Sequence, residues 1–300
     1  MNETYHIPVL LNESIEGLNI DPNGVYVDVT FGGGGHSSKI LQKLESGKLV
    51  AFDQDADVLA HVPNDSRFLF AHHNFSYLKH FLTYYGFEQV DGILADLGVS
   101  SHDFDVAERG FSTRFDGALD MRMNQTAKLT AADVVNTYSE DDLFRILREY
   151  GEVNNARKAA SVIVAARQNK NISTTGELVD VVRGLVPQKM SNKFLAQVFQ
   201  ALRIEVNNEL DVLKSFLNDA YLMLKPGGRL VVISYHSLED RLVKNFIQRG
   251  DFEGDVEKDF FGNIKLKFNS VGKKFISPNS EEIARNPRAR SAKLRIAEKI

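Results

Sequence analysis

The sequence predicts an α/β fold, a parallel sheet interrupted by an all-helical insertion. Between residues 1 and 106, short β-rich runs alternate with helix-like stretches. From 107 to 208 the strand signals stop and helix starts recur, and from 209 the strand–helix alternation resumes. Alternating elements need crossover connections, which make neighbouring strands parallel and put helices on both faces. The predicted organisation is therefore one discontinuous sheet domain, 1–106 with 209–300, split by a helical domain over 107–208.

Residues 25–29 form a β-rich run that stops at Gly32-Gly33-Gly34-Gly35. A helix follows over 37–44, with Ile40, Leu41 and Leu44 on one face. A second strand over 49–52 ends at Asp53, and a helix starts at 56–61. A third strand over 67–71, a helix over 77–85 and a fourth strand over 92–95, ending at Asp96, complete the first half. Within the insertion, Thr130 with Asp133, Ser139 with Asp142, and Thr174 with Glu177 have the spacing of a capping side chain and an early acid. Helical spacing follows over 143–150, 156–167, 178–185 and 194–204. A helix over 210–224, the turn Lys225-Pro226-Gly227-Gly228 and a strand over 229–234 restore the alternation. Strand-like runs over 264–268 and 294–297 close the chain.

A chain of 300 residues can bury one large core, or a core with a satellite domain. Its 43% apolar content excludes a mainly disordered or collagen-like protein. No apolar run approaches the roughly 20 residues of a membrane span. Residues 1–11 lack the basic stretch and long apolar core of a secretory signal, so a cytoplasmic protein is expected. The absence of cysteine removes disulfides, thiolate zinc sites and a cysteine nucleophile. His72 and His73 have no partners at metal-ligand spacing, and no metal is expected. The net charge of −4 is unevenly divided: 6 cations face 16 acids over 1–110, 13 face 13 over 111–213, and 17 face 11 over 214–300. A polyanion would meet the last third, unless the imbalance is ordinary surface scatter.

The segment Asp28-Val29-Thr30-Phe31-Gly32-Gly33-Gly34-Gly35-His36 joins a strand to a helix. A backbone without Cβ atoms turns sharply there and lets a ligand lie against main-chain N–H groups. Asp53 ends the next strand, 20 residues after Gly33, where an acid accepts hydrogen bonds from ribose hydroxyls. Turn, strand, helix and acid together point to a nucleoside-bearing cofactor. Asp28 and Asp96 suit the cationic S-adenosyl-L-methionine better than a pyrophosphate, although Asp28 also reads as a turn acid. Phe75, after the third strand, lies over an adenine face or belongs to the core.

Seven motifs are spaced along the chain. The first three are His6-Ile7-Pro8-Val9-Leu10-Leu11, Thr30 to Ser37, and Asp91-Gly92-Ile93-Leu94-Ala95-Asp96-Leu97-Gly98-Val99-Ser100-Ser101. Then come Arg109-Gly110-Phe111-Ser112, Leu119-Asp120-Met121-Arg122-Met123, Ser234-Tyr235-His236-Ser237-Leu238-Glu239-Asp240-Arg241 and Asn286-Pro287-Arg288-Ala289-Arg290-Ser291. They run in order from residue 6 to residue 291. In these motifs the chain resembles the ribosomal RNA small subunit methyltransferase H (MraW) family. The resemblance implies a class I Rossmann-like methyltransferase sheet with an inserted helical domain for substrate recognition. It implies methyl transfer from S-adenosylmethionine to the N4 amine of a cytidine in the decoding region of small-subunit (16S) ribosomal RNA, within the small ribosomal subunit, and leaves a homodimer open. Its cofactor contacts fall on Gly34, Gly35, His36, Asp53, Phe75 and Asp96, and one more on Asp103. This chain has His102-Asp103 where the family commonly has Pro-Gln, and an ionised Asp cannot donate as an amide does.

Without cysteine, the chain cannot attack a pyrimidine ring carbon covalently, whereas displacement by an exocyclic amine needs no nucleophilic side chain. Such a site must orient the amine and accept its hydrogens. Asp96, or the carbonyls of Leu97 and Gly98, would receive them, and the loop 96–101 with Ser100 would present the base. Asp120 and Arg122 read as a salt-bridged loop beside the base, or as an ion pair pinning the helical domain to the sheet. His236 reads as a base-binding or proton-handling group, or as a strand-end histidine satisfied by a carbonyl. Arg285, Arg288, Arg290, Lys293 and Arg295 form a basic segment suited to RNA phosphates, or a solvated tail. Two other readings share these features: a non-catalytic RNA-binding assembly factor with a relic pocket, and a nicotinamide-dependent oxidoreductase.

Overall fold

The structure, a computed structural model, describes residues 8–99, 101–253, 260 and 266–300. The chain forms two compact units, one of residues 1–98 with 210–300 and the other of 99–209. The change of unit comes at Val99, earlier than the composition shift at 107 predicts, because the short helix 101–105 and Arg109 already belong to the helical unit.

In the first unit, helix α1 (Leu11–Leu18) precedes strand β1 (Val25–Asp28). Helix α2 (Gly35–Lys43), β2 (Lys48–Asp53), β3 (Phe68–His72), α3 (Leu78–Tyr84) and β4 (Val90–Asp96) follow. The predicted helix at 56–61 is a 3-10 turn, Ala56–His61, started by the Asp55 carboxylate accepting from the Asp57 N–H. The second unit contains α4 (Ser101–Asp105), α5 (Ala131–Thr137), α6 (Glu140–Glu149), α7 (Ala156–Arg167), α8 (Thr175–Arg183) and α9 (Ser191–Asn207). Thr130 and Thr174 close capping boxes with Asp133 and Glu177, and Ser139 caps α6 through the Asp142 N–H, as their spacing predicts. Helix α10 (Glu209–Met223), β5 (Leu224–Ser234), α11 (Ser237–Arg249), β6 (Phe268–Ser270), α12 (Ser280–Arg285) and β7 (Lys293–Lys299) complete the chain.

The strands form one seven-stranded sheet in the order β3-β2-β1-β4-β5-β7-β6. β1 to β5 are parallel, and β7 runs antiparallel between β5 and β6. This is a Rossmann-like α/β sheet with a helical insertion between β4 and α10, as the sequence predicts. The Lys225-Pro226-Gly227-Gly228 turn is absorbed into β5: pairing with β4 jumps from Val90–Leu224 to Gly92–Arg229. Part of the predicted strand over 264–268 lies outside the described residues, and the described strand there is Phe268–Ser270.

Period-2 alternation puts an apolar layer on each face. Val27, Val50, Phe52, Ile93, Ala95, Leu230 and Val232 pack on one side with Phe216, Leu217 and Phe246. Tyr26, Leu49, Ala51, Leu94, Val231 and Ile233 pack on the other with Leu18, Ile40 and Leu41. Burial on both faces explains why the central strands read as near-continuous apolar runs. The helical unit has its own core, around Leu143, Ile146, Ile163, Val198 and Leu202. Among the described residues, no helix is long and apolar enough to cross a membrane.

Candidate active site

Parallel strands deliver Asp53, Asp28 and Asp96 to the carboxyl ends of three adjacent strands, β2, β1 and β4. That rim is where open α/β sheets bind ligands. The turn between β1 and α2 ties the three acids together. The Gly32 N–H donates to Asp53 Oδ2 at 2.8 Å. The Thr30 N–H donates to Asp28 Oδ1 at 3.1 Å, and the Thr30 hydroxyl accepts from the Asp96 N–H at 2.7 Å. Gly32 and Gly34 adopt φ of +50° and +74°, a left-handed region that disfavours other residues.

Asp28 is fully buried, and its second oxygen accepts from the Ser37 hydroxyl at 2.7 Å. Both oxygens thus hold the turn against the first turn of α2. Of its two sequence-based readings, the structure supports the turn acid rather than a group facing a cationic ligand. Burial pushes its carboxyl up, opposed by the Ser37 and Thr30 hydrogen bonds.

Pro8 and Val9, from the N-terminal motif, pack on the same turn. A Cβ at Gly35 would overlap the Pro8 ring. His36, buried, donates from Nε2 to the Val9 carbonyl at 3.2 Å, which leaves Nδ1 as the acceptor nitrogen. Burial pushes this imidazole down to about 4, so the ring is neutral at physiological pH. The Leu10 N–H donates to Glu282 Oε1 at 2.7 Å, which fixes the segment from the far end of the chain. Gly35→Ala is expected to cost about 1–3 kcal/mol of stability through overpacking against this segment. A urea midpoint matching wild type would contradict the close approach of Pro8.

Asp96 has a neighbour at each of its oxygens on the same rim. Its Oδ1 accepts from the Tyr235 hydroxyl at 2.7 Å, and its Oδ2 lies 3.8 Å from His36 Nδ1. Burial pushes the carboxyl up to about 7; the Tyr235 hydrogen bond opposes this, and the charges of Asp28 and Glu239 add to it. An acid with its proton affinity near neutrality at a strand end has the properties of a general base. Tyr235, which sequence reasoning did not single out, stands beside His236 in the same motif, so the signal was its position there.

Asp53 keeps its place at the end of β2, with Oδ1 accepting from the Asp55 N–H at 2.9 Å. Phe75 is half-buried and meets the Phe216 ring edge-on at 5.4 Å, at the border of the core. His236 caps α11: its Nδ1 accepts from the Glu239 N–H at 3.4 Å, and its Nε2 stands 3.1 Å from Glu239 Oε1. Glu239 in turn accepts from the Tyr235 N–H at 2.9 Å. This is the histidine's helix-starting role, with a carboxylate where a carbonyl was considered.

In the helical unit, Asp103 forms a buried ion pair with Arg109, Oδ1 to Nη2 at 2.9 Å. The same Nη2 reaches the carbonyls of Arg122 and Met123 at 3.4 and 3.3 Å. Arg122 grips Asp120 with two parallel hydrogen bonds, 2.8 and 2.6 Å, and donates to the Gln125 and Ala127 carbonyls. Although burial pushes Asp120 up, the Arg122 hydrogen bonds hold it below the usual carboxylate range. All these partners lie within the helical unit, so the pair braces its own loop. Ser100 lies outside the described residues.

The basic segment divides in two. Arg295 and Lys293 bind the Asp240 carboxylate at 2.7 and 3.1 Å and are structural. Arg285, Arg288 and Arg290 are exposed.

The profile of the MraW methylase family matches residues 3–300. The chain is 60% identical over 297 residues to the ribosomal RNA small subunit methyltransferase H of Bacteroides thetaiotaomicron, covering 99% of this chain and 98% of that protein. It is 59% identical to the proteins of the same name from Phocaeicola vulgatus and Flavobacterium johnsoniae, over 298 and 297 residues and with the same coverage. With a sheet of this order, a glycine turn tied to three strand-end acids and a match along nearly its whole length, the chain belongs to the MraW methylase family.

Proposed function

We propose that this protein transfers a methyl group from S-adenosylmethionine to the N4 amine of a cytidine in the decoding region of small-subunit ribosomal RNA. The observation that carries the reading is the placement of Asp96 at the end of β4, with its N–H donating to Thr30 of the glycine turn and its carboxylate accepting from Tyr235. Membership of a methylase family, and relatives named for ribosomal RNA, support it further.

The residues at the rim fit the cofactor. A Cβ at Gly32 would meet no heavy atom within 4 Å, so the turn presents bare backbone to open space. Residues 28–38 contain no Lys or Arg, and Asp53 and Asp96 end the strands on either side of the turn, which disfavours a pyrophosphate. Asp53 would hold the ribose hydroxyls, and the N–H groups of Gly35 and His36 would hold the methionine end beside Gly34, whose own N–H is donated to the Phe31 carbonyl; Phe75 would hold the adenine. Asp103, engaged with Arg109, is assigned to the helical unit's packing rather than to the cofactor.

Bound S-adenosylmethionine supplies an electrophilic methyl and a leaving sulfur that departs neutral. The protein's part is to orient the amine, exclude water and take up one proton. Asp96 takes that proton, because its other oxygen is fixed by Tyr235 and its neighbour His36 is neutral. Arg285, Arg288 and Arg290 contact RNA phosphates, the helical unit recognises the RNA, and Asp120 with Arg122 keeps that unit's loop rigid. His236 fixes the start of α11 and thereby Tyr235.

Purified protein with labelled S-adenosylmethionine and small-subunit particles tests this reading, with label expected in the ribosomal RNA. Tighter binding of NADH than of S-adenosylmethionine would favour an oxidoreductase, and cofactor binding without methyl transfer an assembly factor. Asp53→Ala is expected to weaken S-adenosylmethionine binding by about 1–3 kcal/mol, measured by calorimetry. Unchanged affinity would remove Asp53 from the ribose site.

A further inference from the structure

Tyr235 follows β5 directly, and its backbone N–H is bound to Glu239 Oε2 at 2.9 Å in the first turn of α11. Its ring passes Gly98, where a Cβ would come within 3.4 Å of Cδ2 and the backbone has φ of +100°. From there the phenol reaches Asp96 Oδ1 at 2.7 Å. The Asp96 backbone is itself fixed, since its N–H donates to Thr30 Oγ1 and the following Leu97 N–H donates to the Ile233 carbonyl.

We infer that Tyr235 is a positioning residue for Asp96: its hydroxyl occupies Oδ1, steadies the ionised carboxylate and leaves Oδ2 to take the amine proton. The inference rests on the methyl-transfer reading above and deepens it. The phenol acts by donating and keeps its own proton. Burial and the facing Asp96 carboxylate hold Tyr235 well above its usual value, so it is no base itself. Among the described residues, the other titratable groups named as facing Asp96 are neutral or work against its ionisation. His36, from α2, is neutral; Asp28, from β1, and Glu239, from α11, bring negative charge. Among these neighbours the Tyr235 hydroxyl is the one whose hydrogen bond favours the carboxylate.

The test is the pH profile of kcat/KM for RNA methylation, which reports groups of the free enzyme. Wild type is expected to gain activity as pH rises through about 7, as Asp96 ionises. Tyr235→Phe is expected to move that limb to higher pH by about one unit, because the carboxylate loses a charge-assisted hydrogen bond. Activity then falls about tenfold near pH 6.5 and recovers toward wild type above pH 9, while S-adenosylmethionine affinity changes by less than about threefold. An unmoved limb, or an equal loss at every pH, overturns the inference. Should Tyr235→Phe fold poorly, 3-fluorotyrosine at position 235 replaces it: the more acidic phenol moves the limb to lower pH, and an unmoved limb again overturns the inference. Wild-type protein that transfers no methyl group to the RNA would instead reject the functional reading, before any variant is compared.

Discussion

Asp96→Asn is expected to lower kcat for methyl transfer by about 10²–10⁴, the usual contribution of a general base, and yet to raise thermal stability at pH 8. The two effects have one origin. In the fold Asp96 keeps its proton up to about pH 7 because it is buried, whereas in the unfolded chain it loses it near 3.8. The native state therefore binds more protons than the unfolded chain between those values, and stability falls as pH rises through that window. Above pH 7 the full penalty of the buried charge is present. Asparagine removes it without leaving a gap: its oxygen still accepts from Tyr235, and its amide points its donors toward the acceptor nitrogen of His36. Stabilisation should thus be seen at pH 8 and vanish near pH 4 in thermal melts. A variant that loses activity and stability together at pH 8 would show that Asp96 is stabilising when ionised, contrary to this account.

Arg109→Ala is expected to cost about 3–5 kcal/mol of stability, the usual result of truncating one partner of a buried ion pair. Arg109 and Asp103 are only 7% and 4% exposed, so the carboxylate loses its guanidinium partner where water does not readily replace it. The loss extends to the loop that follows. Arg109 reaches the carbonyls of Arg122 and Met123, and its own carbonyl accepts from the Met121 N–H at 3.0 Å. Met121 is held at φ of +62°, and a Cβ at Gly110 would overlap the Ala118 carbonyl, so the backbone there has little room to adjust. Replacing both ends with apolar side chains, Arg109→Met with Asp103→Leu, should recover much of the loss, since the cost lies in burying the carboxylate without its guanidinium. Urea denaturation compares the three variants; a single-variant loss below about 1 kcal/mol would mean that the pair behaves as a solvated one.

The sheet was legible because its central strands carry apolar side chains on both faces and end in acids, which marks their boundaries. The helix starts of the insertion were legible because capping boxes are local: Thr130, Ser139 and Thr174 each meet a partner three residues away. Asp53 was legible from its spacing to the glycine turn. The relations that chemistry depends on were not, because they join distant parts of the chain. Tyr235 meets Asp96 across 139 residues, and Glu282 meets Leu10 across 272. Periodicity carries no trace of such pairs. Asp28 was open to two readings because its spacing suits a ligand and a turn equally; only the hydroxyl of Ser37, on the next helix, decides between them. His236 was ambiguous for a similar reason, since its helix-capping role depends on the imidazole finding the Glu239 N–H.

The absence of cysteine and the presence of a strand-end acid lead to the same claim, that the methyl group goes directly to an exocyclic nitrogen. Position-resolved mass spectrometry of nucleosides, from small-subunit RNA treated with this protein and labelled S-adenosylmethionine, tests that claim most directly. Label is expected on N4 of a cytidine; label on a ring carbon, or on no cytidine, would rule out direct transfer to that amine.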